Sequence, residues 1–128
     1  MIVDSSAMIA VLLREPGWER IAEALTDRPN AAIGAPTLTE AAIVLIAKGA
    51  PPSLLPALLR RAGVDVVAFD ERHADLAADA YTRYGRGRHP ASLTYGDCMT
   101  YAVARMAMAP LLFVGNDFSL TDLEPALT

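Results

Sequence analysis

Positive charge, sulfur and long apolar runs are what this chain has least of. Among its 128 residues there is one lysine, Lys48, and one cysteine, Cys98. A single cysteine excludes an internal disulfide and any metal site built from several thiolates, and it suits a reducing cytoplasm. Lysine and arginine number 11 against 15 acidic residues, for a net charge of −4. A protein that coats nucleic acid is basic. That class is excluded, and any contact with a polyanion must come from a local basic patch or a bound cation. The longest apolar stretches, 41–47 and 106–114, fall well short of the roughly 18 residues a membrane-spanning helix requires. Asp4 interrupts the apolar start and no basic leader precedes it, which argues against a secretory signal. Neither common glycine-rich phosphate loop is present. The expectation is a soluble cytoplasmic protein without membrane association.

What the chain does have is apolar side chain. Hydrophobic residues make up 53%, enough for a packed core and too many for a disordered chain. With no internal repeat, low-complexity tract or long linker, 1–128 reads as one domain. Short apolar runs at 1–3, 31–35, 64–69 and 111–114 predict strands. Amphipathic or capped segments at 5–15, 18–26, 38–48, 53–61, 71–84 and 95–108 predict helices. Pro16-Gly17 and Gly49 break them. Strands alternating with helices indicate a mainly parallel sheet covered on both faces. Ligands in such folds sit beyond the carboxyl ends of the strands, where the strand order reverses.

Four acids fall where one element hands over to the next: Asp4, Glu40, Asp97 and Asp117. Each has a local explanation. Asp4 can cap the helix after it. Thr37-Leu-Thr-Glu40 matches a capping box and Thr94-Tyr-Gly-Asp97 nearly does. Asp117 suits a turn. Capping does not explain why so many junctions on one side of a sheet carry a carboxylate. Two carboxylates about 5 Å apart repel by roughly 3 kcal/mol at an effective dielectric near 20, and a cluster raises its own pKa values unless a cation sits among them. Mg²⁺ prefers oxygen ligands and combines a few carboxylates with water and substrate phosphate. It lowers the pKa of a bound water and neutralises charge developing on the phosphate.

The segments Val3-Asp4-Ser5-Ser6-Ala7, Leu93-Thr94-Tyr95-Gly96-Asp97-Cys98 and Val114-Gly115-Asn116-Asp117-Phe118, with Glu40 on the helix after the second strand, resemble the PIN-domain ribonucleases. More narrowly, they resemble the VapC toxins of bacterial toxin–antitoxin operons. The likeness runs through nearly the whole chain. It implies a three-layer α/β/α sandwich, Mg²⁺ or Mn²⁺ as cofactor, and cleavage of single-stranded RNA to 5′-phosphate and 3′-hydroxyl ends. It also implies a homodimer and a hetero-oligomer with a VapB-type antitoxin, whose helical segment would enter a groove beside the helices flanking Pro16. By the same resemblance Asp4, Glu40 and Asp97 match the invariant acids, Asp4 and Asp97 as direct ligands and Glu40 either binding through water or orienting the attacking water. Asp117 matches a more variable fourth. Close relatives often read Gly-Asp-Asp-Phe there, so the fourth place belongs either to Asp117 or to the position of Asn116.

Arg83, Arg86, Arg88 and His89 cluster just before the helix carrying Asp97, as a solvated rim or as a phosphate-steering patch. The hydroxyl of Ser5 or Ser6 starts a helix or holds a water for the cation. Cys98, Met99, Met106 and Met108 read as core, Trp18 as an anchor for its helix, and His73 as a surface residue. Two rivals remain. A degenerate PIN domain would serve as an RNA- or protein-binding module without chemistry. A phosphoacceptor receiver domain also clusters acids at strand ends, but it needs a lysine by the phosphate, and Lys48 lies at the far end of its helix.

Overall fold

A computed structural model describes residues 1–127. The chain runs β1 (Ile2–Val3), α1 (Ser5–Leu13), α2 (Trp18–Asp27), β2 (Ala32–Gly34), α3 (Ala35–Ala47), α4 (Leu54–Ala62), β3 (Asp65–Val67), α5 (Glu71–Tyr84), α6 (Tyr95–Ala107) and β4 (Leu111–Leu112), then one 3₁₀ turn over Asp117–Leu120. All pairings are parallel, in the order β3-β2-β1-β4.

Alternation at period two builds the layers. Successive strand residues point to opposite faces. Val3, Ile33 and Leu112 enter one core with the apolar stripes of α1 to α4. Ile2, Leu111 and the half-buried Ala32 enter a second core with α5 and α6. Strands this short can be apolar throughout only because helices cover both sides, which is the expected α/β/α sandwich. β3 departs from that reading. It is an edge strand, and Asp65 and Val66 are exposed.

Several local expectations need correction. α3 begins at Ala35, with Gly34 as its N-cap and Pro36 in the first turn, where a missing N–H costs nothing. Thr37 therefore lies inside the helix and caps nothing, and Glu40 sits in the second turn. The box at α6 does form: Thr94 caps the Asp97 N–H while the Asp97 carboxylate accepts from the Thr94 N–H. His73 is buried, stacked on Phe69 with ring centroids 5.1 Å apart, and its Nδ1 accepts from the Asp70 N–H at the head of α5. Met108 ends α6 with a positive φ and is 91% exposed, so it is not core. Trp18 is half-buried, with the Arg14 guanidinium 5.3 Å above its ring.

The topology singles out one place. From β1 the chain builds β2 and β3 to one side, then returns through α5 and α6 to place β4 on the other. The order reverses at β1, and Asp4 stands at its carboxyl end.

Candidate active site

Asp4 follows β1 directly. Its N–H donates to the Leu112 carbonyl of β4 at 2.9 Å, so backbone pairing fixes the root of the side chain. The residue is 5% exposed. Oδ2 accepts from the Ser6 N–H at 3.1 Å and the Ser6 hydroxyl at 2.6 Å, and Oδ1 accepts from the Thr100 hydroxyl of α6 at 2.9 Å. Ser6 also accepts the Val114 N–H at 3.0 Å, which ties the exit of β4 to the same carboxylate. Thr100 and Thr37 are 2.8 Å apart, both fully inside the protein.

Glu40 reaches the same edge from α3. The Ser5 hydroxyl donates to its Oε1 at 2.6 Å. Its Oε2 lies against Gly96, and a Cβ built at that position would fall onto the carboxylate. This gives the glycine between Tyr95 and Asp97 a physical reason: only a residue without a side chain lets α3 bring Glu40 this close to the head of α6. Asp97 stands one residue further on, its Oδ2 held by the Thr94 N–H at 3.0 Å.

The three acids feel one another. Burial pushes the Asp4 carboxyl above its ordinary range, three hydrogen bonds pull against that, and the Asp97 charge adds to the rise. Glu40 is also raised, by burial first, opposed by the Ser5 hydroxyl and reinforced by Asp4 and Asp97. No basic side chain is among the groups acting on either. Among the described residues, no three His, Cys, Asp or Glu side chains close into a ready cage; each of these acids is hydrogen-bonded to its own donors. A magnesium-like ion uses one or two carboxylates and keeps several waters. Hard oxygen donors, mutual repulsion and no internal counterion fit that kind of ion.

The remaining candidates separate. Asp117 is exposed at the start of the 3₁₀ turn, as is Asn116 before it, and Asp117 is not among the charges acting on Asp4 or Glu40. Ser5 and Ser6 both spend their protons on carboxylates. Arg83 is engaged within the fold: it donates to the Tyr84 hydroxyl at 3.0 Å, lies 4.9 Å over that ring and pairs with Asp122 at 3.7 Å. Arg86 and Arg88 are exposed on the loop after α5, Arg88 donating to the Thr82 carbonyl at 3.3 Å. His89 accepts the Ala91 N–H and packs edge-on to Tyr84. Cys98 is buried and its thiol is pushed up to about 11, by burial and then by Asp97, so it is inert as a nucleophile at neutral pH. In the sequence Thr37 reads only as a cap and Thr100 stands in no motif; the structure puts both behind Asp4. The available signal was Thr100 three residues after Asp97, on the same helix face.

The PIN domain family model matches residues 1–123. The chain is 44% identical over 127 residues to the VapC36 ribonuclease of Mycobacterium tuberculosis, covering 97% of this chain and 91% of that one. It is 43% identical over 125 residues to a VapC ribonuclease of Mycolicibacterium smegmatis, covering 96% and 97%. Two solved structures share the fold. Mycobacterium tuberculosis VapC20, described as a Sarcin-Ricin loop cleaving toxin, superposes with a TM-score of 0.75 at 16% identity over 97% of this chain and 98% of that one. A toxin–antitoxin complex from Klebsiella pneumoniae gives 0.71 at 15% identity over 94% and 92%. With the fold, the acidic edge and this likeness together, the chain belongs to the PIN-domain family and, within it, to the VapC ribonucleases.

Proposed function

We propose that the acidic edge is the centre of a divalent-cation-dependent endoribonuclease that acts in the cytoplasm as the toxin of a toxin–antitoxin pair. The observation that carries this is the meeting of Asp4, Glu40 and Asp97 at the strand-order reversal: burial first, and then the Asp97 charge, raises Asp4, burial and the charges of Asp4 and Asp97 raise Glu40, and no basic residue is among the groups acting on either. Asp4 and Asp97 would hold the cation, with Asp117 as an outer fourth acid. Bound Mg²⁺ or Mn²⁺ would neutralise charge on the scissile phosphate and make water a better nucleophile. Glu40 would direct that water and accept its proton; burial and the neighbouring Asp4 and Asp97 hold its carboxyl above its ordinary range, nearer what a general base needs. Arg86 and Arg88 guide the RNA backbone toward an otherwise acidic protein. Replacing both with Gln weakens RNA binding and reduces the salt slope by about 1.4 on single-stranded RNA.

A VapB-type antitoxin is the proposed partner, in a hetero-oligomer built on a toxin homodimer. Its seat is the groove beside α1, α2 and α4, where cavities of about 380 and 290 Å³ share Val11, Trp18, Leu58 and Arg61. The open spacing of the acids favours the second reading, a PIN domain that binds without cutting. Incubating antitoxin-free protein with diverse RNAs, with and without EDTA, decides between them. Cuts leaving 5′-phosphate and 3′-hydroxyl ends, lost in EDTA, are expected. Binding without cuts at any cation concentration would establish the second reading.

A further inference from the structure

Asp4 is held from inside the protein by a chain of two hydroxyls. Thr100 is 1% exposed and Thr37 is 2% exposed. A buried hydroxyl is costly unless it is bonded, and each has only one proton. Thr100 donates its proton to Asp4 Oδ1 at 2.9 Å. In its 2.8 Å contact with Thr37 it must therefore accept, which makes Thr37 the donor. The direction of the whole chain follows: Thr37 to Thr100 to the carboxylate, each bond polarising the next. It joins α3, which carries Glu40, to α6, which carries Asp97, and ends on Asp4. With Ser6 supplying two more donors, three of the roughly four lone-pair directions of the ionised carboxylate are taken. What remains lets Asp4 grip an ion through one oxygen only.

We propose that Thr100, oriented by Thr37, is a positioning residue for Asp4, and that this relay sets how tightly the acidic edge binds a divalent cation. The inference rests on reading that edge as the cation site. Tying α3 to α6 would require only the bond between the two threonines; the link onward to Asp4 is what a positioning role adds. Partners of this kind are worth roughly 10–100-fold in metal affinity.

The test is calorimetric titration of Mn²⁺ into RNA-free, antitoxin-free protein, with RNA cleavage measured across Mn²⁺ concentrations. Thr100→Val, which keeps the shape and removes the hydroxyl, weakens Mn²⁺ binding on the order of 10-fold. It raises the Mn²⁺ concentration for half-maximal cleavage by the same factor, and cleavage at saturating Mn²⁺ recovers. Thr100→Ser, which restores the hydroxyl, stays within about twofold of the parent. Thr37→Val falls between them, because it acts through Thr100. Normal Mn²⁺ affinity in a folded Thr100→Val protein overturns the proposal, as does a Thr100→Ser protein as weak as Thr100→Val. If Thr100→Val does not fold, Thr37→Val against Thr37→Ser reads the same relay, and equal affinities overturn it. A parent protein that binds no Mn²⁺ overturns the cation site itself and this inference with it.

Discussion

Two adjacent residues of α6 serve two carboxylates of opposite character. Thr100 donates to Asp4, and Tyr101 donates to Asp122 at 2.7 Å. Burial works against ionisation in both. At Asp122 the Tyr101 hydroxyl and the charges of Arg105 and Arg83 overcome it, and the carboxyl lies below its ordinary range. At Asp4 and Glu40 nothing positive answers, and both lie above theirs. The same chain supplies counterions to the acid that fastens its C-terminal segment and none to Asp4 or Glu40. Uncompensated charge at Asp4 and Glu40 is what the proposed cation would answer.

The largest effect that would sharpen this contrast is on chemistry. Asp97→Asn keeps an acceptor for the Thr94 N–H and removes one charge facing Asp4. Cleavage should fall on the order of 1000-fold with the circular dichroism spectrum unchanged; a nearly normal rate would remove Asp97 from the site. Gly96→Ala comes next. The new methyl would meet the Glu40 carboxylate and push it aside, and a misplacement of about 1 Å costs about 100-fold in rate. A variant that cuts normally would show that Glu40 is not needed where the structure puts it.

Smaller, and opposite in sign at the two regions, is the pH dependence of stability without cations. Asp4 and Glu40 rise on folding from ordinary values of 3.8 and 4.5. The folded state then binds more protons than the unfolded chain, so stability declines as pH climbs from those values through the raised ones. Glu40→Gln removes its share and raises the cation-free melting temperature above that range by about 2–4 °C, and added Mn²⁺ narrows the difference. A melting temperature lowered by this substitution would mean the acids are not crowded. Asp122 runs the other way: its contribution is complete above 3.8 and is lost as pH falls through its lower folded value. Tyr101→Phe, the mildest change, should cost about 1 kcal/mol in urea unfolding and leave Mn²⁺ affinity untouched. A change in affinity would mean that the two regions are coupled along α6.

Legibility followed the range of the forces involved. The capping box Thr94–Asp97 was readable because its partners are three residues apart. The apolar runs were readable because strands covered on both faces show no polar alternation. The start of α3 was misplaced, because a capping box can be spelled by residues already inside a helix and Pro36 is as welcome there as at a break. His73 looked like a surface residue because its cover, Phe69, and its duty at the head of α5 are a matter of packing. The exposure of β3 depended on strand order. Thr37 and Thr100 gave no sign of each other across 63 residues.

By itself the sequence determined the elements, the layers and the acids worth watching, since periodicity, capping and turn chemistry act over a few residues. The tertiary structure decided which acids share a field. It brought Asp4, Glu40 and Asp97 into one another's reach, left Asp117 in an exposed turn and committed Arg83 to the tyrosines and Asp122. Charge interaction depends on distance through space and on what fills that space, and neither is written in the spacing along a chain.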